Sequence, residues 1–120
     1  MDWKLNSDRP IWLQLKEQIA VGIVTGEYPP GSKLPSVRDL ALKAGVNPNT
    51  MQRALTELER DGLAQSMGTM GRVVTNDHEK INQLRKNFAQ ELVHQYLSGM
   101  KRLGYDAVEA YREMEEWIYE

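Results

Sequence analysis

Apolar residues recur at helical spacing in two short stretches near the middle of the chain. In each stretch they fall at positions that share one face of an α-helix. The first set is Val37, Leu40, Ala41 and Ala44, and the second set is Met51, Ala54, Leu55 and Leu58. The pattern predicts two short helices, each with one buried face.

The residues that flank these stretches predict where each helix begins and ends. Ser36 can cap the first helix, with Asp39 three residues later as its capping-box partner. Gly45 follows the last apolar position, where a helix commonly ends in the left-handed conformation. Asn47 can cap the second helix, with Pro48 at its first position, where no N–H is needed. Two helices joined by so tight a turn form a helix-turn-helix.

The second helix carries hydrogen-bonding side chains opposite its apolar face, namely Asn49, Gln52, Arg53 and Thr56. In a helix-turn-helix the start of the second helix enters the DNA major groove. There Asn and Gln suit adenine edges and Arg suits guanine, whereas we expect Thr50 to bind a phosphate. The competing interpretation is a module that docks a protein partner. Acidic residues on this face would mark such a module, and positions 49–56 contain none.

A longer apolar stripe precedes this pair and predicts a helix on which the pair packs. Its members are Ile11, Leu15, Ile19 and Ile23. Residues 7–10 supply capping side chains and an early proline for its start, and Gly26 ends it. Trp12 flanks the stripe, and we expect it to pack in the core or at a dimer interface rather than to contact a ligand.

The segment that follows this first helix is predicted to be extended. Pro29 and Pro30 remove backbone donors and exclude a helix. The loop delivers Lys33 and Leu34 to a short extended stretch. Lys33 there either contacts a DNA phosphate or is a solvated surface charge.

A β-hairpin is predicted after the second short helix. Strand-like runs at 63–67 and 72–75 flank a tip that contains Gly68 and Gly71. Two glycines at a tip allow the backbone to approach a ligand closely, and here that ligand is the minor groove.

The last part of the chain is predicted to form two helices that bury their apolar faces in a homodimer. Asn76 and Asp77 cap a helix over about 78–103, and Asp106 caps another after a break at Gly104. Two helices in so short a segment cannot bury both stripes alone, so a two-fold dimer is the economical solution. The predicted interface consists of Phe88, Leu92, Tyr96, Met100, Tyr111, Met114 and Trp117. Alternatively, these aromatic and methionine side chains line an effector pocket between the subunits.

Three runs of residues carry a family resemblance, namely 26–41, 46–50 and 58–63. They spell GEYPPGSKLPSVRDLA, VNPNT and LERDGL. On these runs the chain resembles the GntR family of bacterial transcription regulators, and within that family the short YtrA-type subgroup. The tail that follows the hairpin matches only in length and helical character.

The resemblance implies roles for individual residues. Arg38 matches the arginine that grips the DNA backbone, and the short segment at Lys33 is expected to add a third strand to the hairpin, or wing. The family's wing arginine is displaced or lost here, which leaves Gly68 and Arg72 at the wing. With the turn and the start of the recognition helix included, the predicted DNA-binding residues are Lys33, Arg38, Asn47, Asn49, Thr50, Gln52, Arg53, Gly68 and Arg72.

These observations combine into one predicted architecture and function. The fold is mainly α with a small β-wing, and a winged helix-turn-helix over 1–76 precedes a two-helix dimerisation hairpin over 77–120. The resemblance implies a repressor that binds an inverted repeat in double-stranded DNA, and that controls a transporter operon and its own gene. Many relatives have arginines in place of Pro48 and Gln52, so the base preference cannot be transferred from the family.

Charge and composition narrow the function classes. The net charge of −2 divides unevenly, because residues 1–76 hold nine Lys and Arg against eight Asp and Glu, whereas 77–120 hold six against nine. DNA binding therefore depends on where the cations of the first part lie. The absence of cysteine excludes disulfides and thiolate metal sites.

No combination of residues in the sequence predicts an enzyme. His78 and His94 have no nucleophile near them in sequence, and the acidic last helix is expected to be a solvated face. We therefore expect no catalytic residue, no metal and no cofactor. No apolar run suits a membrane span or a signal peptide, so the expected location is the cytoplasm.

Overall fold

Within residues 1–119, which the computed structural model describes, the chain forms five α-helices and one two-stranded antiparallel sheet. In chain order the elements are α1 (Ile11–Val24), α2 (Val37–Ala44), α3 (Pro48–Arg60), β1 (Ala64–Ser66), β2 (Arg72–Val74), α4 (His78–Arg102) and α5 (Ala107–Tyr119). The predicted mainly α fold with a small β-wing is confirmed. None of the described helices combines the length and the apolar composition that a bilayer crossing requires.

The helix-turn-helix consists of α2 and α3, with the predicted caps. The Ser36 hydroxyl accepts a hydrogen bond from the Asp39 N–H at 3.1 Å. Gly45 ends α2 in the left-handed conformation, with φ +70°. The Asn47 side chain accepts a bond from the Asn49 N–H at 2.7 Å and starts α3. These local bonds define where α2 ends and where α3 begins.

The core lies where α1, α2 and α3 meet. Its largest fully buried side chains are Leu15, Ile19, Ile23, Leu34, Leu40, Met51, Leu55, Leu58 and Val74. They include predicted apolar positions of all three helices, although Ile11, Val37 and Ala44 are only half-buried. Leu34 and Val74 close the core from the side of the sheet. The predicted packing of the helix-turn-helix on α1 is confirmed.

The start of α1 differs from the prediction. Pro10 occupies the N-cap position and no side chain caps the helix. Instead, the buried Gln14 holds the preceding segment: its amide donates to the carbonyls of Asn6 at 2.9 Å and Arg9 at 2.7 Å, and its oxygen accepts from the Asn6 N–H at 2.9 Å. A side chain inside the helix thus holds the preceding segment, and the predicted capping by residues 7–10 is wrong.

The wing is shorter than predicted and has a helical tip. β1 pairs with β2 in the register Ala64↔Val74 to Ser66↔Arg72, and a 3₁₀ turn over Gly68–Met70 joins them. The expected third strand reduces to a single bridge between Lys33 and Val73. The Leu34 N–H nevertheless donates to the Arg72 carbonyl at 2.9 Å, so this segment lies along the outer edge of β2.

The chain divides into two compact units, Met1–Leu84 and a second unit that begins at Arg85, so the division falls within α4. The predicted boundary between 76 and 77 stays a prediction. In the second unit, Asp106 starts α5 as predicted, because its carboxylate accepts from the Glu109 N–H at 2.8 Å. The Tyr96 hydroxyl donates to the Ala110 carbonyl at 2.7 Å and joins the two helices of the unit.

Candidate nucleic-acid interface

The exposed face of α3 presents the polar side chains that the sequence placed there. Asn49, Gln52, Arg53 and Thr56 are all exposed, whereas Thr50 is half-buried. The Gln52 amide donates to the Thr56 hydroxyl at 3.3 Å, which aligns two neighbouring side chains of this face. No acidic residue interrupts α3 until Glu57, whose carboxylate is paired with Arg60 at 2.9 Å. The face can therefore meet DNA without repulsion from a free carboxylate.

Two of the predicted binding residues belong to the turn and to the start of α2. The Asn47 side-chain oxygen accepts from the Asn49 N–H, and the backbone carbonyl of Asn47 accepts from the Thr50 and Met51 N–H groups at 3.0 and 3.1 Å. Arg38 is exposed in the first turn of α2. Its guanidinium forms no ion pair with any residue of the described chain, so its charge remains available.

The two cationic residues predicted at the wing differ in exposure and in pairing. The Arg72 side chain is only 18% exposed and its Nε donates to Glu59 of α3. The Ser66 hydroxyl donates to the same carboxylate at 2.7 Å, so Glu59 fastens both strands of the wing to α3. Lys33, in contrast, is exposed, and its side chain passes Gly71 with Cε 3.4 Å from where a Cβ would lie. The free positive charge beside the wing is that of Lys33.

The wing tip itself is open. Gly68 has φ +58°, and nothing lies within 4 Å of where its Cβ would be. Met67 and Met70 flank it and are 46% and 58% exposed. The tip therefore combines a bare backbone with apolar side chains, and it carries no charge between Met67 and Gly71.

The cations of residues 1–76 fall into two groups within the described chain. Arg9, Lys16, Arg60 and Arg72 each pair with a carboxylate. The cations without such a pair are Lys4, Lys33, Arg38, Lys43 and Arg53. Four of these five belong to the helix-turn-helix or to the edge of the wing. A nearly neutral unit thus concentrates its unneutralised positive charge on the elements predicted to bind DNA.

Sequence reasoning missed two residues that hold the site together. Glu59, which anchors the wing, drew no attention as an acid near the end of a helix. Trp12 was assigned to packing, and it is half-buried, but it also lies against the guanidinium of Arg53. The apolar stripe of α1 placed Trp12 at the edge of the core, and that was the only available signal.

The predicted interface residues of the second unit are only partly brought together. Leu92, Tyr96, Tyr111 and Met114 line one groove of about 410 Å³ between α4 and α5. Phe88 and Met100 are half-buried outside that lining, and Trp117 is 82% exposed. A second groove of about 600 Å³ is more polar and includes His94, Lys101 and Asp106.

Known sequences match this chain over most of its length. Residues 12–74 match the signature of the bacterial regulatory proteins of the gntR family. The HTH-type transcriptional regulator YhcF of Bacillus subtilis is 38% identical over 104 residues, which cover 87% of this chain and 86% of YhcF. The HTH-type transcriptional repressor YtrA of the same organism is 28% identical over 120 residues, which cover 95% of this chain and 85% of YtrA.

Solved structures share the fold. A GntR family transcriptional regulator from Listeria monocytogenes has a TM-score of 0.83 and 36% identity, and the match covers 96% of this chain and 97% of that one. AraR(DBD) in complex with operator ORE1 has a TM-score of 0.54 and 30% identity, over 62% of this chain and 94% of that one. The chain therefore belongs to the GntR family of bacterial regulatory proteins and is a DNA-binding transcriptional regulator with YtrA-type relatives.

Proposed function

We propose that this protein is a repressor that binds an inverted repeat in double-stranded DNA as a homodimer, with α3 of each subunit in one major groove. The observation that carries the proposal is the front of α3. There Asn49, Gln52 and Arg53 are exposed together, and no acidic side chain lies among them. A surface that docked a basic protein partner would carry acids at these positions, and positions 49–56 contain none.

Base recognition falls to the exposed front of α3. Asn49 and Gln52 each offer one acceptor and two donors, which match the N6 and N7 edge of adenine. Arg53 offers a planar set of donors that matches O6 and N7 of guanine. Each good bidentate contact of this kind contributes about 1–3 kcal/mol of discrimination against the wrong base.

Phosphate contacts fix α3 in the groove. We assign them to Arg38 and Lys33, whose charges are not neutralised by carboxylates within residues 1–119, and to the hydroxyl of Thr50. Gly68 allows the wing backbone to approach the minor groove. Arg72 serves the interface indirectly, because its bond to Glu59 holds the wing against α3. Asn47 serves mainly as the cap of that helix.

Dimer formation falls to the second unit. Its apolar groove and the exposed side chains beside it, Leu92 at 66% and Trp117 at 82%, have no partner within the described chain. A second copy would cover them with the same apolar surface, as a two-fold interface requires. We place any small-molecule effector on this same surface.

The proposed biological setting is supported by the name of one relative and by the YtrA-type resemblance of the sequence. YtrA is a transcriptional repressor by name, and the YtrA-type resemblance connects such proteins with transporter operons and with their own genes. We propose the same for this chain, and a cytoplasmic location with it.

The test is selection of a duplex by the protein itself. Wild-type protein would select from a library of duplexes with a randomised centre, and fluorescence anisotropy at two salt concentrations would measure binding to the selected and to a scrambled duplex. We expect an inverted repeat, bound at least about 10³-fold more tightly than the scrambled duplex and strongly weakened by salt.

Variants connect the selected duplex to α3. Asn49→Ala and Gln52→Ala should each weaken specific binding by about 1–3 kcal/mol. Lys16→Ala is the control: it also removes a side chain of unit 1, but Lys16 is paired with Asp61 at 2.6 Å. It should leave binding unchanged. Equal affinity for selected and scrambled duplexes would indicate an architectural module, and no binding to any duplex would indicate a protein-docking one.

A further inference from the structure

An aromatic ring of α1 lies against the guanidinium of the recognition helix α3. The Cζ atom of Arg53 is 4.3 Å from the centroid of the Trp12 ring. A cation within about 6 Å of a ring centroid is attracted by the ring quadrupole, and Trp attracts it most strongly. The two residues come from different helices, so the contact joins α1 to the exposed face of α3.

The ring of Trp12 is less mobile than the side chain of Arg53. Trp12 is half-buried in the first turn of α1, next to the fully buried Leu15 and the buried Gln14. Gln14 in turn holds the backbone of residues 6–9 through three hydrogen bonds. Trp12 is half-buried and has only two side-chain torsions, whereas Arg53 is exposed and long enough to adopt many conformations.

An aromatic ring offers no oxygen or nitrogen acceptor to the five N–H donors of the Arg53 guanidinium, so the contact with Trp12 leaves their hydrogen-bonding capacity unused. Within residues 1–119 no carboxylate pairs with Arg53. Its donors therefore remain available to a ligand.

We propose that Trp12 is a positioning residue for DNA recognition, and that it holds the edge of Arg53 ready for O6 and N7 of one guanine. This inference rests on the proposed function. When an arginine is already ordered before binding, the complex no longer bears the free-energy cost of losing that side chain's conformational entropy. A preorganised fork also matches the bidentate geometry of guanine better than a mobile one.

The test compares Trp12→Leu, Trp12→Phe, Arg53→Ala and the double variant Trp12→Leu/Arg53→Ala on the duplex that the wild type selects. Trp12→Leu should weaken binding by about 3- to 30-fold for each half-site, the range of one cation–π contact. The loss should vanish on a duplex in which one G·C pair of each half-site is replaced. Trp12→Phe should retain part of the effect because Phe is the weaker ring.

The double variant separates positioning from folding. If Trp12 acts through Arg53, the double variant binds no more weakly than Arg53→Ala alone. Multiplied losses in the double variant would overturn the inference, as would an equal weakening on selected and scrambled duplexes or no loss at all. Thermal unfolding identifies any variant that fails to fold. In that case the milder variants Trp12→Phe and Arg53→Lys test the inference, and each should weaken binding only on duplexes that keep the G·C pair read by Arg53.

Failure of the inference is distinguishable from failure of the proposed function. If wild-type protein selects a duplex and all Trp12 variants bind it as tightly, only the positioning role is wrong. If wild-type protein selects no duplex, the proposed function is wrong and the positioning role falls with it.

Discussion

The two compact units of the chain differ in how far they satisfy their own side chains. In the first unit, α1, α2 and α3 bury large apolar residues completely, among them Leu15, Met51 and Leu55 at 0% exposure. In the second unit, Ala110 is the only buried residue between 85 and 119. The apolar residues of the first unit have partners, and those of the second mostly do not.

The same difference holds for charge. Every ion pair within residues 1–119 lies in the first unit, and none joins residues of the second. The first unit therefore has what an independent domain needs, a core and internal electrostatic partners. The second unit exposes the kind of large apolar side chains that mark a binding surface for another molecule.

The largest expected effect contrasts a core leucine with an exposed one. Leu55→Ala should lower the free energy of unfolding by about 2–5 kcal/mol, because it empties a fully packed site. Leu92→Ala makes the same chemical change at a side chain that is 66% exposed. Under conditions where the protein is monomeric, it should change stability by no more than about 0.5 kcal/mol. Urea denaturation measures both, and similar losses would mean that the second unit has a core of its own.

A charge in the apolar groove tests whether a second copy covers it. Leu92→Glu should raise the dimer dissociation constant at least about tenfold, because burying a leucine contributes about 1.5–3 kcal/mol and each dimer contains two. Sedimentation equilibrium measures the constant. Glu91→Gln, an exposed neighbour outside the groove lining, is the control. A dimer that tolerates Leu92→Glu would place the interface elsewhere.

Two helical glycines sharpen the same comparison. A Cβ on Gly22 would lie 2.7 Å from two ring carbons of Tyr28, whereas on Gly99 its nearest contact is Arg102 at 3.9 Å. Gly22→Ala should therefore destabilise the protein by about 1–3 kcal/mol. Gly99→Ala should be neutral or stabilise it by about 0.5–1 kcal/mol, since alanine favours a helix. Thermal unfolding distinguishes them, and equal effects would show that Tyr28 yields easily.

The sequence predicts the helices and most of their ends, because helix caps and apolar periodicity depend on residues that are near one another in the chain. Ser36, Gly45 and Asn47 fix their helix ends through bonds to near neighbours, so their residue types suffice. The pairs Arg72–Glu59 and Arg53–Trp12 join different elements, and only the packed fold brings them together. For that reason Arg72 resembled a free wing cation in the sequence and is a structural tie in the fold.

Lys33 and Arg72 differ in the same way at the DNA interface, because Lys33 has no carboxylate partner within residues 1–119 and Arg72 has one. Lys33→Ala should weaken binding equally on all sequences and lower the salt slope by about 1 for each subunit, and so by about 2 for a dimer that loses two phosphate contacts. Arg72→Ala combined with Glu59→Gln should leave the salt slope nearly unchanged, because the two substitutions remove a pair of charges that neutralise each other. Its expected effect is a loss of stability instead. Anisotropy titrations over a range of salt measure both slopes, and a reversed order would make Arg72 the DNA contact.

The smallest expected effect is a pH dependence of the free energy of unfolding, and it arises from Tyr28 in the first unit. Burial raises the pKa of the Tyr28 hydroxyl above its ordinary value, and the neighbouring Glu27 adds to the shift. The protonated form is thus favoured in the folded state. Its contribution is fully present below about pH 10, the ordinary value, and is lost as the pH rises through the folded pKa.

The comparison of wild type with Tyr28→Phe isolates that contribution. Above about pH 10 the free energy of unfolding of the wild type should fall more steeply than that of the variant. Every other tyrosine is present in both proteins, so their titration cancels in the difference. Parallel curves would mean that the ring of Tyr28 is solvated in the folded state, and the close packing against Gly22 would then be wrong as well.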